Sequence, residues 1–582
     1  MHVLATAGHV DHGKSTLVLA LTGMDPDRFA EEKARGLTID LGFAWTALPS
    51  GRELAFVDVP GHIRFIKNML AGVGGVDACM FVVAATEGWK PQSEEHLRIL
   101  ELLGVDHGVV ALTKIDLADE EWVELARTEV TERVAGTFLD GAELVPVDGV
   151  SGHGLEELRT ALDRLLATTP SAADTHRPRL WVDRSFAAKG SGTVVTGTLT
   201  GGALAVDDEL ALVPGHRTGR AQRVRVRALQ SHQRPRSKVG PGHRVAVNLA
   251  GISHDRVARS DALVRPGQWH TTRTIDCSLT ILASVDHEVS RRGAYHAYIG
   301  SGEHPVRLRL LGPGALAPGE AGQVRLHLPV ALPLLPGDRY VLRESGRAET
   351  VGGGEVLDVD PVLPAAKATP DRSTDRVVAE RGWVDVQLLE RLTGERRAAT
   401  VGGRWVVAPE ILAATSRELR EAIASAGHLG LDVAVLDDRG RAVLAELPDV
   451  VVSSGRALPA DAARAPQAGS HPFVAALEAA PFAPPDPDAA GVDRRELRDL
   501  VRRGAVVERD GVYFAHAAVE AAARTVARLL AAQPEGVTVA EVRQALGTTR
   551  KYLLPLLGHL DATGVTRRRG DVRVAGPLLP AP

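Results

Sequence analysis

Cysteine is almost absent from this chain: Cys79 and Cys277 are the only two in 582 residues. A disulfide framework and cysteine-based metal centres are thereby excluded, and both thiols read as small core residues. Aromatic residues are scarce at 4%. Lysine is scarcer: nine of the 68 basic residues are Lys and 59 are Arg, which with abundant Ala and Gly fits a GC-rich genome. No apolar run approaches the ~18 residues needed to cross a bilayer, and no secretory stretch precedes the first strand at about residue 3. A cytoplasmic protein without a membrane partner is expected. The net charge of −5 carries no global nucleic-acid signature. What remains is a globular composition, 44% hydrophobic and 24% charged. At this length roughly three to five domains are expected.

The most informative stretch is Gly8-His9-Val10-Asp11-His12-Gly13-Lys14-Ser15-Thr16. It spells a complete phosphate-binding loop, G-x-x-x-x-G-K-[ST], between an apolar strand run (Val3–Ala7) and a helical pattern (Leu17–Leu21). Backbone N–H groups from Asp11 to Thr16 would cradle phosphates at a helix N-terminus. Lys14 would reach the β/γ oxygens and the Ser15 hydroxyl would bind Mg²⁺. Thr113-Lys114-Ile115-Asp116 follows a second buried-strand run. A carboxylate there accepts two hydrogen bonds from the guanine N1–H and N2–H₂, which adenine does not offer, and the Lys114 stem can lie over the ring. The usual motif is N-K-x-D; Thr113 in place of Asn predicts the loss of one tie within the loop. GTP or GDP with Mg²⁺ is the ligand these residues imply.

Two segments lie between. Arg35-Gly36-Leu37-Thr38-Ile39 has the form of a switch in which Thr38 binds Mg²⁺ and senses the γ-phosphate. Asp58-Val59-Pro60-Gly61-His62 has the form of a second switch: Asp58 would hold the magnesium shell, the Gly61 N–H would touch the γ-phosphate, and His62 would position the attacking water. A fifth loop aligns at Val147–Leu155, with Asp148-Gly149 where Ser-Ala is common.

Near residue 170 the alternating strand–helix pattern ends. The fold class expected is multidomain: an α/β P-loop GTPase domain (1–170), two antiparallel β-barrels (171–266 and 267–362), then an α+β array of winged-helix domains (367–582, about four units, the last 516–582). Residues 210–254 contain nine Lys/Arg and no Asp/Glu, a stripe suited to a phosphate backbone. In the last unit Thr538 and Thr549 should cap two helices, Pro555 should kink the second or mark its start, and Thr566–Val574 should form a wing. Arg550, Lys551, Arg567, Arg568, Arg569 and Arg573 are candidate RNA contacts. Ala/Pro-rich stretches at 457–468 and 481–491 read as loops.

These motifs in this order resemble the translational GTPase family. With two barrels, a winged-helix tail and the strings Thr38-Ile39-Asp40-Leu41-Gly42-Phe43-Ala44, Asp183-Arg184 and Arg550-Lys551-Tyr552, the chain is similar to the bacterial selenocysteine-specific elongation factor (SelB) family. That resemblance implies a ribosome-stimulated GTPase that delivers selenocysteinyl-tRNA at UGA codons while tethered to a SECIS mRNA hairpin. It implies a monomer whose partners are that tRNA, the hairpin and the ribosome. It implies an aminoacyl pocket at Asp183, Arg184 and Arg244, where two guanidiniums bind the selenolate and Asp183 holds one in place. It also implies an apolar gate, Val10 and Leu37, over His62. A general aminoacyl-tRNA carrier and a GTP-switched DNA-binding regulator are the competing readings.

Overall fold

In the computed structural model, residues 2–26, 38–62, 65–73, 75–188, 192–312, 314–461 and 471–581 are described. They fall in two compact units, Met1–Ala408 and Pro409–Pro582.

The first unit opens with an α/β layer. Its strands are β1 (His2–Ala7), β2 (Gly42–Ala47), β3 (Glu53–Asp58), β4 (Ala78–Ala84), β5 (Gly108–Thr113) and β6 (Leu144–Pro146), in the order β2-β3-β1-β4-β5-β6. All pairs are parallel except β2 on β3. The central strands β1 and β4 are buried throughout, which is why they read as unbroken apolar runs. Helices α1 (Lys14–Thr22), α2 (Ile66–Val73), α3 (Pro91–Leu102), α4 (Glu120–Val134) and α5 (Leu155–Thr168) cover the sheet. The phosphate loop therefore leaves the carboxyl end of a central strand, the usual ligand crevice of such sheets.

Short antiparallel strands follow. In the first barrel a ring closes where Glu209–Val213 pairs with both Ala262–Val264 and Gln222–Ser231. Three adjacent strands matter for the site: Arg184 lies opposite Thr196, and Arg244 lies opposite Thr198 on the same central strand. The second barrel is a closed ring of six strands between Thr271 and Asp358. Of the basic stripe, Arg223, Arg225 and Arg227 alternate outward with buried Val224 and Val226. Its charge is partly answered from outside the counted window, by Glu209 (3.7 Å from Arg223) and Asp207 (2.6 Å from Arg225).

A first helix–hairpin module, with helices Thr374–Arg381 and Val386–Thr393, also belongs to this unit. Its Val377, Val378, Val384, Leu389 and Leu392 share one apolar core with the second barrel.

The second unit carries three more helix–hairpin modules among its described residues, with hairpins at Val450–Pro459, Val506–Ala515 and Thr566–Ala575. The middle turn uses Asp510 and Gly511, both at positive φ, as a two-residue primed turn demands. In the last module Thr538 closes a capping box with Glu541 at the start of the helix Val539–Leu546. Three expectations differ. Thr549 occupies the cap of the next helix, but its side chain makes no capping bond. That helix runs Arg550–Ala562 with Pro555 inside it, so of the two readings of the proline, the one that placed the helix start there does not hold. Residues 457–459 are a strand rather than a loop, because Ala457 is fully buried opposite Val452; residues 462–470 lie outside the described ones.

Candidate functional site

The phosphate loop is shaped by glycine. A Cβ on Gly8 (φ +126°) would lie 2.1 Å from the Val82 carbonyl oxygen, so no other residue fits there. Asp11 and Gly13 also take positive φ. The Lys14 ammonium is held over the loop by the Gly8 and His9 carbonyls at 3.1 and 2.6 Å. Gly61 packs directly on it: a Cβ there would meet Lys14 Nζ at 2.4 Å and the Val10 amide nitrogen at 2.7 Å.

Three oxygen donors converge beside this loop. Ser15 Oγ donates to Asp58 Oδ2 at 2.6 Å and lies 2.8 Å from Thr38 Oγ1. Thr6 Oγ1 donates to the other Asp58 oxygen at 2.7 Å, which fixes the fully buried carboxylate. Neighbouring oxygens around an octahedral Mg²⁺ stand about 3 Å apart, so a corner of hard, mutually touching oxygens fits that ion. Arg35, Gly36 and Leu37 lie outside the described residues, and with them half of the expected gate. His62 follows Gly61, with its ring 5.9 Å from that of Phe65.

The guanine end corrects one expectation. Thr113 does not lose the tie: its hydroxyl donates to the His12 carbonyl at 2.7 Å, linking this loop to the phosphate loop. Lys114 takes positive φ and reaches Glu87 at 3.2 Å, while Asp116 is exposed in a short 3₁₀ turn. In the fifth loop the Asp148 carboxylate accepts the Ser151 amide at 2.5 Å and meets the Asp116 side chain. The buried His12 ring turns into the core, with Nδ1 3.3 Å from the Val82 carbonyl oxygen, so only its backbone can serve the nucleotide.

His12 and His96 carry a pH consequence. Burial pushes both pKa values down to about 3, and His96 accepts the Gly8 amide through Nδ1 at 3.1 Å. Both stay neutral in the fold and gain protons on unfolding below pH 6.5, so they stabilise at neutral pH and lose that contribution as pH falls. Asp77, pushed up to about 6 by burial, works in the opposite sense and offsets one of them. With His304, which burial lowers to about 4, three histidines oppose one aspartate, so stability should drop by roughly 2–3 kcal/mol per pH unit between pH 6 and 4. Nucleotide-free unfolding at several pH values checks this, and a flat profile would contradict it.

A second constellation lies between β2 and the first barrel. The Arg244 guanidinium grips Asp183 with both Nη atoms, Nη2 at 3.0 Å from Oδ1, and donates to Thr196 Oγ1 at 3.1 Å. Burial alone would raise the Asp183 pKa; the Arg244 charge and the Thr196 hydroxyl hold it below the usual range. Arg184 does not pair with its neighbour Asp183. It crosses to Asp40 at 3.2 Å and to the Leu41 carbonyl. Both guanidiniums lean on Phe43, with carbons 3.3 Å (Arg244) and 5.0 Å (Arg184) from the ring centroid. Two positive groups are thus held beside an aromatic wall, with acceptors fixing one edge of each.

Residues 1–170 match the family model described as Elongation factor Tu GTP binding domain, and 192–264 match Elongation factor Tu domain 2. Residues 528–575 match Elongation factor SelB, winged helix. The chain is 33% identical to Elongation factor Tu 2 of Streptomyces avermitilis over 61% of its own length and 96% of that protein's. It is 42% identical to the Selenocysteine-specific elongation factor of Desulfomicrobium baculatum, over 61% of this chain and 55% of the relative. The chain belongs to the translational GTPases that include elongation factor Tu. A crystal structure of bacterial selenocysteine-specific elongation factor EF-Sec aligns over 99% of both chains at 26% identity and TM-score 0.69. The sequence match itself spans little more than half the length of the Desulfomicrobium relative.

The structure adds three residues that sequence reasoning passed over: Asp40, Phe43 and Arg259. The string Thr38–Ala44 carried the first two, but no role could be read from it. At the far end of the chain the exposed Arg550 and Lys551 open the helix Arg550–Ala562, and Lys551 lies 5.3 Å from the Tyr552 ring. Arg567, Arg568 and Arg569 are all exposed on one wing strand. Arg573 is the exception among the candidate RNA contacts. It is 7% exposed and bonds Asp561 at 3.1 Å, because its place on the returning strand faces the helix rather than solvent.

Proposed function

We propose that this chain is a GTP-hydrolysing elongation factor that delivers selenocysteinyl-tRNA to the ribosome at UGA codons, tethered to a SECIS-type mRNA hairpin by its last winged helix. The observation that carries the reading is the cationic pocket of Arg184 and Arg244 on Phe43, reached from the end of a GTPase switch. A selenol is more acidic than a thiol. At neutral pH the esterified selenocysteine is an anion where serine is neutral, and paired guanidiniums discriminate the two.

The nucleotide is held by the loop amides from Asp11 to Thr16, by Lys14, and by Thr113, Lys114 and Asp116 at the base. Ser15, Thr38 and Asp58 would hold Mg²⁺, which would supply positive charge to offset that of the phosphates. Gly61, pressed on Lys14, sets the start of the second switch, and His62 orients the attacking water once codon pairing has placed it. Hydrolysis releases Thr38 and the tRNA with it. The protein acts as a cytoplasmic monomer without a membrane partner; no helix among the described residues is long and apolar enough to cross a membrane.

The tail fits an RNA module because Arg550, Lys551 and the three wing arginines are all exposed basic side chains. Replacing Arg567, Arg568 and Arg569 together by alanine should flatten the salt dependence of hairpin binding by about two to three counterions. Arg573→Ala should instead lower the stability of the module, since it leaves Asp561 with only the Thr566 hydroxyl as partner among the described residues. Competition between an RNA hairpin and duplex DNA of equal charge separates this reading from a DNA-binding regulator: the hairpin should win, and preference for the duplex would sink the mRNA role.

A further inference from the structure

Thr38 stands at the magnesium corner, 2.8 Å from Ser15. Two residues on, the Asp40 carboxylate accepts Arg259 Nη2 at 2.8 Å and Arg184 Nη2 at 3.2 Å. Arg259 does more than pair. Its Nε donates to the Asp183 carbonyl at 3.0 Å, and its Nη1 to Asn68 Oδ1 at 2.8 Å. Asn68, on α2 just past the second switch, in turn donates to the Ile39 carbonyl at 2.8 Å. One guanidinium therefore ties together the end of the first switch, the helix after the second switch and the wall of the aminoacyl pocket. Arg184 spends only Nη2 on Asp40 and Leu41, so its remaining edge can meet an anion. Arg184, Arg244 and Arg259 against Asp40 and Asp183 leave one net positive charge, the complement of a single selenolate.

We propose that Asp40 and Arg259 are positioning residues through which the nucleotide state sets the aminoacyl pocket: with Thr38 docked on the magnesium corner, Asp40 holds Arg184 and Arg259 in register for the anion, and when Thr38 leaves, that support leaves with it. This rests on the reading that Arg184 and Arg244 bind the selenolate. It goes beyond that reading by naming a carboxylate on the switch and a third arginine that carry the coupling. Coupling between the sites requires that both ends of this link change in one event, and the release of Thr38 would be that event.

The test is the affinity for one tRNA body esterified with selenocysteine, measured on the full chain with a non-hydrolysable GTP analogue and with GDP. Asp40→Asn removes the charge and keeps the shape. It should weaken the GTP-form complex by about tenfold, with the loss confined to that form, so the ratio between the two nucleotide states collapses. By reciprocity, the tRNA's enhancement of GTP over GDP affinity should shrink by the same factor. Arg259→Gln should reproduce the loss, and Asp40→Glu should recover part of it. A merely structural role would lower both nucleotide forms together and leave their ratio intact. An unchanged ratio in Asp40→Asn overturns the proposal. So does tighter GTP-form binding, which would make Asp40 a competitor of the anion. If the unaltered protein binds the seryl and selenocysteinyl forms equally, the underlying pocket reading fails instead, and the two failures are told apart.

Discussion

His62→Ala should lower ribosome-stimulated GTP hydrolysis by about 10²–10⁴-fold, the range removed when a positioned proton-transfer or water-orienting group is deleted. GTP affinity should move by less than about threefold, because the cradle is built from other residues: the loop amides, Lys14 on the Gly8 and His9 carbonyls, and Thr113 on the His12 carbonyl. The geometry supports this division. Gly61 is pressed so closely on Lys14 and Val10 that a Cβ would not fit, and this fixes where the next residue begins. His62 itself packs its ring on Phe65. A residue so placed can enter the reaction when the switch moves without contributing to nucleotide binding beforehand. Single-turnover hydrolysis with and without ribosomes separates the effects. Unchanged stimulated hydrolysis in His62→Ala would remove the residue from the mechanism.

The second large effect concerns Arg244. Replacing it by alanine should abolish the preference for selenocysteine over serine on the same tRNA body, a loss of tens-fold. It also strands Asp183, which is 6% exposed and takes both of its charged hydrogen bonds from this guanidinium. Removing one partner of such a buried pair typically costs about 3 kcal/mol or more of stability, so the variant should also melt earlier. Arg244→Lys separates the two consequences. It keeps a charge near Asp183 and recovers much of the stability, yet it cannot make the bidentate contact or cover the Phe43 face in the same way. Discrimination should therefore stay low in the lysine variant while the melting temperature returns. Recovery of both together would mean that charge alone, without the guanidinium geometry, sets the specificity.

How much of this was legible before the fold was known depends on how the contacts run along the chain. The nucleotide site was legible because each contribution is a short contiguous motif whose spacing is imposed by a strand, a turn and a helix start. Ser15, Thr38 and Asp58 could be assigned to one corner, and they meet there. The reading of Thr113 went astray because the motif was judged by the amide that Asn would offer; the shorter hydroxyl reaches the same loop from a different atom. The pocket was legible only in part. Asp183 and Arg184 are neighbours in sequence, but they part where the strand begins at Arg184: one turns to Arg244, the other to Asp40. Contacts between residue 40 and residues 184 and 259 span more than half of the GTPase domain and a whole barrel strand order, and no local pattern announces them. Arg573 failed for the opposite reason. A run of basic residues around a hairpin looks uniform in sequence, yet the period of two along the returning strand turns that one side chain inward to Asp561. The sharing of one core between the first helix–hairpin module and the second barrel was likewise illegible, because Leu389 and Leu392 have the spacing of any amphipathic helix, whatever they pack against.

The central claim is that the first barrel and the switch together read the amino acid and not only the tRNA. The most direct measurement is the affinity of the GTP-bound full chain for one tRNA body charged either with selenocysteine or with serine. Contacts to the nucleic acid cancel in that comparison, so the difference isolates the pocket. A preference for the selenocysteinyl form of tens-fold or more, about 2 kcal/mol, is the predicted result. Equal affinity for the two would contradict the account and leave a carrier whose selectivity lies in the tRNA body alone.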